Sequence, residues 1–158
     1  MKIKMINYKQ AKNILIKSKI KIKDEIIDSS KSLNRINTSD IYSTVNYPAG
    51  TNAAFDGFAI KSNETIKLNK NNIKEFKILK TISAGDNPRL NKVKKFQTVE
   101  VMTGALIPGF FDTIIPIEKI FFNKDRKYIK INEKIKKNQH IRYVGSDYKK
   151  KDLIIKKG

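Results

Sequence analysis

Residues 47–60, YPAGTNAAFDGFAI, divide this 158-residue chain into two parts with different sequence patterns. Before them, apolar side chains recur at helical spacing over residues 8–18, and Asn7 and Gln10 stand at the spacing of a capping box. After them, short apolar runs alternate with turn residues. The break YPAGTN (47–52) at the start of this stretch is therefore the predicted boundary between a helical part and a β part. It contains no lysine or arginine, although the chain has 34 of these residues.

One further helical signal lies between the predicted helix and this boundary. Asp28 or Ser29 is a suitable N-cap for a short helical turn over residues 29–33. Asn34 follows, and asparagine tolerates the left-handed conformation that often ends a helix. A short helical turn is therefore predicted there.

Beyond the boundary the pattern predicts short strands. The predicted strands are FAI (58–60), EFKILKTIS (75–83), QTVEVMT (97–103), DTIIPIEKI (112–120), KYIKIN (127–132), HIRYV (140–144) and DLIIKKG (152–158). Strands of this length and spacing are typical of a β-barrel or β-sandwich. We therefore predict an α+β fold, with a short helical segment at the amino end and a β-rich part after it.

The charge has two interpretations. A formal net charge of +19 suggests phosphate-rich partners such as nucleic acid. Alternatively, the excess of lysine, accompanied by isoleucine and asparagine, follows from A/T-rich codons at tolerant positions. Basic residues are absent between Arg35 and Lys61 and between Lys95 and Lys119, where the most motif-like residues lie. A nucleic-acid surface would place cations around such motifs, so no specific nucleic-acid partner is predicted.

Cysteine and histidine usage excludes several kinds of site. The chain has no cysteine, so disulfides, thiolate metal sites and a cysteine nucleophile are excluded, and cytoplasm is the default location. His140 is the only histidine, which argues against a serine–histidine triad and a histidine-rich metal centre. Lysines interrupt every apolar run near the amino end, so neither a signal peptide nor a membrane span is predicted.

Three oxygen-bearing side chains beside glycine or serine are candidates for chemistry. They are Asp56 in FDGF, Thr103 in MTGA and Asp147 in GSDY. Each has a structural alternative, since Asp-Gly is common in hairpin turns, Thr-Gly can end a strand and Gly-Ser-Asp is ordinary loop sequence. As hard oxygen donors they could instead hold Mg²⁺. A lysine beside such carboxylates would compete for the cation, which would account for the missing lysines.

Four segments, taken in order, resemble the amino-terminal half of the molybdopterin molybdenumtransferases, the MoeA and gephyrin E-domain family. NAAFDGFAI (52–60) is similar to the family's D-N-S-A-M-D-G-Y-A-V, and ISAGD (82–86) to its A-G-E. VEVMTGALIPGFFDTIIPIE (99–118) is similar to R-I-M-T-G-A-P-L-P-x-G-A-D-A-V-V-x-x-E. IRYVGSDYKKKDLIIKKG (141–158) is similar to R-x-x-G-E-D-x-x-x-G-D-x-L-L-x-x-G.

The chain departs from this pattern at four positions. Ala53 replaces a serine, Ser146 a glutamate, Phe111 an alanine and Lys151 a glycine. Family members also continue beyond the position of Gly158 into a molybdopterin-binding domain similar to MogA and a small β domain. The expectation is therefore a fragment or one product of a split gene, inactive alone.

The resemblance implies an elongated molecule with two domains. Residues 1–47 with 144–158 would form a small α/β domain, and residues 48–143 a β-rich domain inserted into it. In the family, the cleft lies between the molybdopterin domain of one subunit and this inserted domain of the other, which implies a homodimer. The chain would supply one wall of that composite site.

The resemblance also implies the chemistry. The family uses Mg²⁺ and molybdate to cleave adenylylated molybdopterin, releasing AMP and molybdenum cofactor. Carried over by motif, Asp56, Thr103 and Asp147 are the catalytic wall residues, Asp56 and Asp147 the metal ligands, and Arg142 a substrate-binding anion contact. The alternative from the residues alone is a basic β-barrel that binds RNA or another polyanion without catalysis.

Overall fold

A computed structural model describes residues 5–18 and 22–158 in two compact units. The first contains the described residues up to Asp40 together with Lys156–Gly158, and the second contains Ile41–Ile155. The predicted domain boundaries, at 47/48 and 143/144, stay a prediction. Residues 1–4 and 19–21, which the first predicted domain includes, lie outside the described residues.

The described residues of the first unit include one α-helix, α1 (Tyr8–Lys17). The predicted capping box is confirmed, because Asn7 Oδ1 accepts from Gln10 N at 2.9 Å and Gln10 Oε1 accepts from Asn7 N at 3.0 Å. The predicted turn is also confirmed as a 3₁₀ helix, Ser29–Lys31, capped by Asp28.

Both ends of the first unit are joined by hydrogen bonds. Asn34, at a φ of 62°, has the left-handed backbone that the sequence predicted. Asn37 Nδ2 donates to Lys156 O at 3.0 Å, and Lys157 N donates to Asp40 Oδ1 at 2.7 Å. The early segment and the last residues of the chain therefore belong to one unit.

The second unit is built from ten short strands. They are β1 (Ile41–Tyr42), β2 (Asn52–Ala53), β3 (Gly57–Ile60), β4 (Lys74–Ile82), β5 (Gln97–Val101), β6 (Thr113–Pro116), β7 (Phe121–Phe122), β8 (Tyr128–Ile131), β9 (Ile141–Arg142) and β10 (Leu153–Ile155). Two 3₁₀ helices, Ser62–Thr65 and Ile117–Lys119, lie between strands. Each predicted strand overlaps one of these strands, so the α+β, β-rich fold class is confirmed.

Six strands form the main sheet in the order β6-β3-β5-β4-β8-β7. All neighbours are antiparallel except β4 and β5, which run parallel. Two further pairs, β1 with β10 and β2 with β9, are antiparallel two-stranded sheets. Strands β1, β2 and β7 were not predicted, because two residues are too few to show an alternating pattern.

The main sheet has a hydrophobic core on each face. Phe58 and Ala59, which are neighbours in β3, belong to different core clusters, as do Ile114 and Ile115 in β6. The first core contains Ala53, Ala59, Ile82, Val93, Val99, Val101, Ala105, Phe111 and Ile114. The second contains Phe58, Ile60, Leu68, Phe76, Ile115, Ile129, Ile131 and Ile135. Strand β3 is therefore buried along its whole length.

Within the part of the chain that the structure describes, no helix combines the length and the apolar character needed to cross a lipid bilayer.

Candidate active site

Asp56 and Thr103, 47 residues apart in the chain, are in direct contact. Asp56 Oδ1 accepts one hydrogen bond from Thr103 N at 2.6 Å and a second from Thr103 Oγ1 at 2.7 Å. Both residues are exposed. Two of the three predicted catalytic residues are therefore hydrogen-bonded to each other at the protein surface.

The main sheet brings this pair together. Asp56 immediately precedes β3 and Thr103 follows β5 by two residues, and Gly57 lies opposite Val101 in the antiparallel register. Gly104, at a φ of 83°, turns the chain directly after Thr103. Asp56 is not in a hairpin turn, because the strands on either side of it, β2 and β3, do not pair with each other.

The contact also sets the charge of Asp56. The hydrogen bond from the Thr103 hydroxyl, followed by the one from its backbone N–H, lowers the pKa of Asp56 below its ordinary value. Asp56 is therefore ionised at neutral pH. Among the described residues nothing donates to its second oxygen, Oδ2, so that oxygen faces solvent with its charge available to a ligand.

Arg142 and Asp147 form a second pair. Arg142 Nη2 lies 2.6 Å from Asp147 Oδ2, and the other oxygen of Asp147 accepts from Ser146 Oγ at 3.1 Å. The side chains of Arg142 and Asp147 are 44% and 37% exposed. A partly exposed ion pair adds little stability, but it fixes the direction of the guanidinium group. Asp147 is bonded to Arg142 and Ser146, and no hydrogen bond joins it to Asp56.

The short sheet of β2 and β9 connects the Asp56–Thr103 contact with the Arg142–Asp147 ion pair. Asn52 lies opposite Arg142 and Ala53 opposite Ile141, and Ala54 N donates to His140 O at 3.0 Å. Asp56 follows β2 by three residues, whereas Arg142 lies in β9 itself. The two pairs thus come from adjoining strands, and a single site formed by both stays a prediction.

A family comparison applies to nearly the whole chain. The family described as MoeA N-terminal region (domain I and II) matches residues 6–158. The chain belongs to this family. The resemblance in the sequence motifs is therefore confirmed.

Relatives of the MoeA N-terminal region are named molybdopterin molybdenumtransferase. One from Haemophilus influenzae is 32% identical over 136 residues, which cover 85% of this chain and 31% of that protein. One from Staphylococcus aureus is 34% identical over 129 residues, covering 81% of this chain and 30% of that protein. The chain spans about a third of the length of these relatives.

A solved structure gives the same assignment. The molybdopterin biosynthesis moeA protein from Pyrococcus horikoshii is 26% identical, with a TM-score of 0.88. The match covers 98% of this chain and 40% of that one. The fold of the MoeA N-terminal region therefore extends over almost all of the present chain.

Three of the departures from the MoeA pattern have structural consequences. Phe111 is 6% exposed and packs in the first core, so its ring fills space in the protein interior. Lys151 has a φ of 77°, where the pattern has glycine, the residue that adopts this conformation without strain. Ala53 is 1% exposed in the first core, where its methyl group needs no hydrogen-bond partner.

The donors present fit Mg²⁺ only in part. The described residues contain no group of three or more histidine, cysteine or acidic side chains that could hold a metal ion. Mg²⁺ often uses one or two carboxylates and completes its shell with water and substrate oxygens. Asp56 fits that role through its free Oδ2. Both oxygens of Asp147 already have partners, so direct coordination would have to displace or share Arg142 or Ser146.

The predicted site residues are all exposed at the surface of the protein. A cavity of about 190 Å³ lies beside His140 and is lined by side chains that include Lys119, Lys134 and Lys136. Asp56, Thr103, Arg142 and Asp147 do not line it. The candidate site is an open surface, and a second surface is needed to exclude water from any reaction there.

Sequence reasoning overlooked two neighbours of this surface. Phe55, which is 52% exposed, meets the His140 ring edge-on with ring centroids 4.9 Å apart. Asn52 lies in β2 opposite Arg142. Phe55 is adjacent to Asp56 in the chain, which is a usable signal, whereas His140 comes close only through the β2–β9 pairing.

Proposed function

We propose that this chain forms one wall of the composite active site of a molybdopterin molybdenumtransferase, which inserts molybdate into adenylylated molybdopterin and releases AMP. The observation that carries the proposal is the exposed, ionised Asp56 carboxylate held by Thr103. Family membership and the names of the relatives support the substrate class. The polyanion-binding alternative has no support from either.

Each residue has a distinct role in this proposal. Thr103 fixes the Asp56 carboxylate and keeps it ionised, while Oδ2 stays available. Asp56, with Asp147 as the second predicted ligand, would hold Mg²⁺, which when bound neutralises phosphate charge on the substrate. Arg142, aligned by Asp147, binds an anionic group through its remaining N–H donors.

The open surface supports the composite character of the site. Because the predicted site residues lie on an open surface and the chain spans about a third of its relatives, we infer that the remaining wall comes from the molybdopterin-binding region. A homodimer and a cytoplasmic location belong to the same proposal. The isolated 158 residues should then release AMP from adenylylated molybdopterin no faster than background.

A chimera tests the proposal. Residues 6–158 replace the matching segment of the Haemophilus influenzae relative, and AMP release is measured with Mg²⁺ and molybdate. Asp56→Asn, which keeps the shape and removes the charge, should lower turnover at least about tenfold.

Asp28→Asn is the matched control. Asp28 also accepts from a backbone N–H and a hydroxyl, both of Ser30, and its pKa is lowered for the same reason. Its substitution should leave turnover unchanged. Equal activity of the Asp56→Asn and Asp28→Asn chimeras, or no AMP release by the unsubstituted chimera, would contradict the proposed function.

A further inference from the structure

A cationic cavity lies between β6 and residues 133–140. Its volume is about 190 Å³, and its lining includes the charged side chains Lys119, Glu133, Lys134 and Lys136. Three positive charges and one negative charge give this lining a charge of +2. Sites for drug-sized ligands usually have volumes of about 300–1,000 Å³, so this cavity suits a smaller molecule. Its size and its charge favour a small anion.

The ammonium groups that line this cavity have no partner in the described part of the chain. Within that part, Lys119, Lys134 and Lys136 form no ion pair and donate no side-chain hydrogen bond. Glu133, the acidic residue of the lining, has no ion-pair partner there either. Positive charges around one cavity repel one another, and a bound anion would reduce that repulsion.

The wall formed by residues 133–140 is fixed to the main sheet. Thr113 Oγ1 donates to Lys136 O at 2.9 Å, and Ile114 N donates to Gln139 O at 3.1 Å. Both donors lie in β6 and both acceptors lie in the wall. A wall held in this way is already ordered before a ligand arrives, so binding costs less conformational entropy.

His140, which also lines the cavity, has an uncommon backbone conformation. Its φ is 57°, a left-handed value that residues other than glycine rarely adopt. Such backbones are found preferentially at ligand sites, where the surrounding structure maintains them. The ring meets Phe55 edge-on, and neither of its nitrogens has a hydrogen-bond partner among the described residues. The imidazole can therefore donate to an anion.

We propose that this cavity binds a phosphate dianion, for which its three lysines supply positive charge and His140 supplies an N–H donor. The phosphate is either the free ion or the terminal group of a small phosphomonoester, since both present the same tetrahedral oxygens. The inference is independent of the proposed function, because the cavity is not lined by Asp56, Thr103, Arg142 or Asp147.

The first test follows His140 by NMR. It is the only histidine of the chain, so it gives a single set of imidazole signals. Inorganic phosphate and glycerol 3-phosphate are titrated separately into the 158-residue chain at one pH, with chloride adjusted to keep the ionic strength constant. The imidazole signals should move and reach a plateau, whereas chloride alone should not move them. The compound that binds more tightly identifies the source of the phosphate group.

Two triple variants separate this cavity from the overall charge. The first replaces the cavity lysines and is Lys119→Met/Lys134→Met/Lys136→Met. The control replaces three exposed lysines outside the lining and is Lys92→Met/Lys94→Met/Lys95→Met. Each variant lowers the formal net charge by three, from +19 to +16. Losing one exposed charge costs about twofold to fivefold in affinity, so the first variant should bind at least about eightfold more weakly and the control nearly normally.

Glu133→Gln provides a change in the opposite direction. It removes the negative charge of the lining and leaves the lysines in place, so the affinity for phosphate should rise by about twofold to fivefold. A variant that merely disturbed the structure would not bind more tightly.

Three results would overturn the inference. Imidazole signals that do not move to a plateau with either compound would mean that the cavity binds no phosphate. Equal weakening in the two triple variants would mean that binding follows the total charge of the chain. Weaker or unchanged binding in Glu133→Gln would mean that the phosphate lies elsewhere.

Discussion

Gly57 is the position where one added methyl group should disturb both the sheet and the candidate site. A Cβ atom at Gly57 would lie 2.1 Å from the carbonyl oxygen of Ile115, 2.9 Å from its carbonyl carbon and 3.0 Å from Pro116 Cα. All three are backbone atoms of β6, so no side chain can rotate away. In Gly57→Ala, β3 and β6 must therefore separate.

The size of the effect follows from that contact. Ordinary van der Waals contact begins at 3.4 Å, whereas the added Cβ atom would lie 2.1 Å from the Ile115 carbonyl oxygen. The two strands must therefore move apart by about 1.3 Å. The hydrogen bond from Ile117 N to Asp56 O, now 3.0 Å, would not survive such a shift. Overpacking costs about 1–3 kcal/mol and each lost hydrogen bond about 1 kcal/mol. We expect a loss of about 3 kcal/mol in the free energy of unfolding.

Thermal and urea unfolding of the 158-residue chain measure this loss. The expected fall in Tm is about 6–12 °C. Gly109→Ala is the matched control, because a Cβ atom there has nothing within 4 Å, and its stability should change by less than about 0.5 kcal/mol. If Gly57→Ala and Gly109→Ala unfold at the same temperature, the close approach of β6 does not constrain β3 and the argument is refuted.

Three further predictions concern charge and backbone strain. Thr103→Val removes the hydroxyl bond that contributes most to the low pKa of Asp56, so that pKa should rise in a carbon-detected NMR titration while the pKa of Asp28 stays constant. A carboxyl group whose pKa is lowered by folding stabilises the folded state at pH values above its unfolded-state pKa. The stability of the wild-type chain should therefore decline as the pH falls through the folded-state pKa of Asp56, and this decline should be smaller in Thr103→Val. Lys151 has a left-handed backbone with a φ of 77°, which glycine adopts without strain. Lys151→Gly should therefore raise the Tm by about 2–4 °C, and an unchanged Tm would argue against strain. Single-stranded RNA should bind weakly, without sequence preference and with strong salt dependence, whereas sequence-selective binding at physiological salt would contradict this.

Local signals account for the parts of the fold that the sequence predicted. The helix Tyr8–Lys17 and its capping box involve residues three or four apart, and the left-handed Asn34 is likewise a local property. Strands such as β4, nine residues long, show enough alternation to be recognised. The two-residue strands β1 and β2 exist only because distant residues pair with them.

Burial accounts for part of the lysine-free windows. All four residues of β3 are buried, as are Val99 and Val101 in β5 and Thr113–Ile115 in β6. Lysine is almost never fully buried, so the two cores exclude it from these positions. Burial does not explain the missing lysines in the mostly exposed residues 36–51 or at Asp56 and Thr103, where the explanation from the site stays a prediction.

For the candidate site, the sequence identified residues but not their partners. Asp56 and Thr103 were both selected, and the structure confirms that they touch. The ion pair of Asp147 with Arg142 and the position of Asn52 were not foreseen. The position of Asn52 opposite Arg142 depends on the register of β2 against β9, and no local pattern encodes the pairing of residues about 90 positions apart. Arg142 and Asp147 are only five positions apart, but their contact depends on the turn between them.

The brevity of the β2–β9 ladder gives the candidate site its own internal motion. Two paired residues open at a lower free energy than a six-stranded sheet, so this ladder should open more often than the main sheet. The amide hydrogen of Ala54, bonded to His140 O, should then exchange with solvent far sooner than that of Ala59 in β3. A ligand that contacts β2 and β9 at once would keep the ladder closed. Substrate binding should therefore slow the hydrogen exchange of the Ala54 amide, which is fast in the free protein.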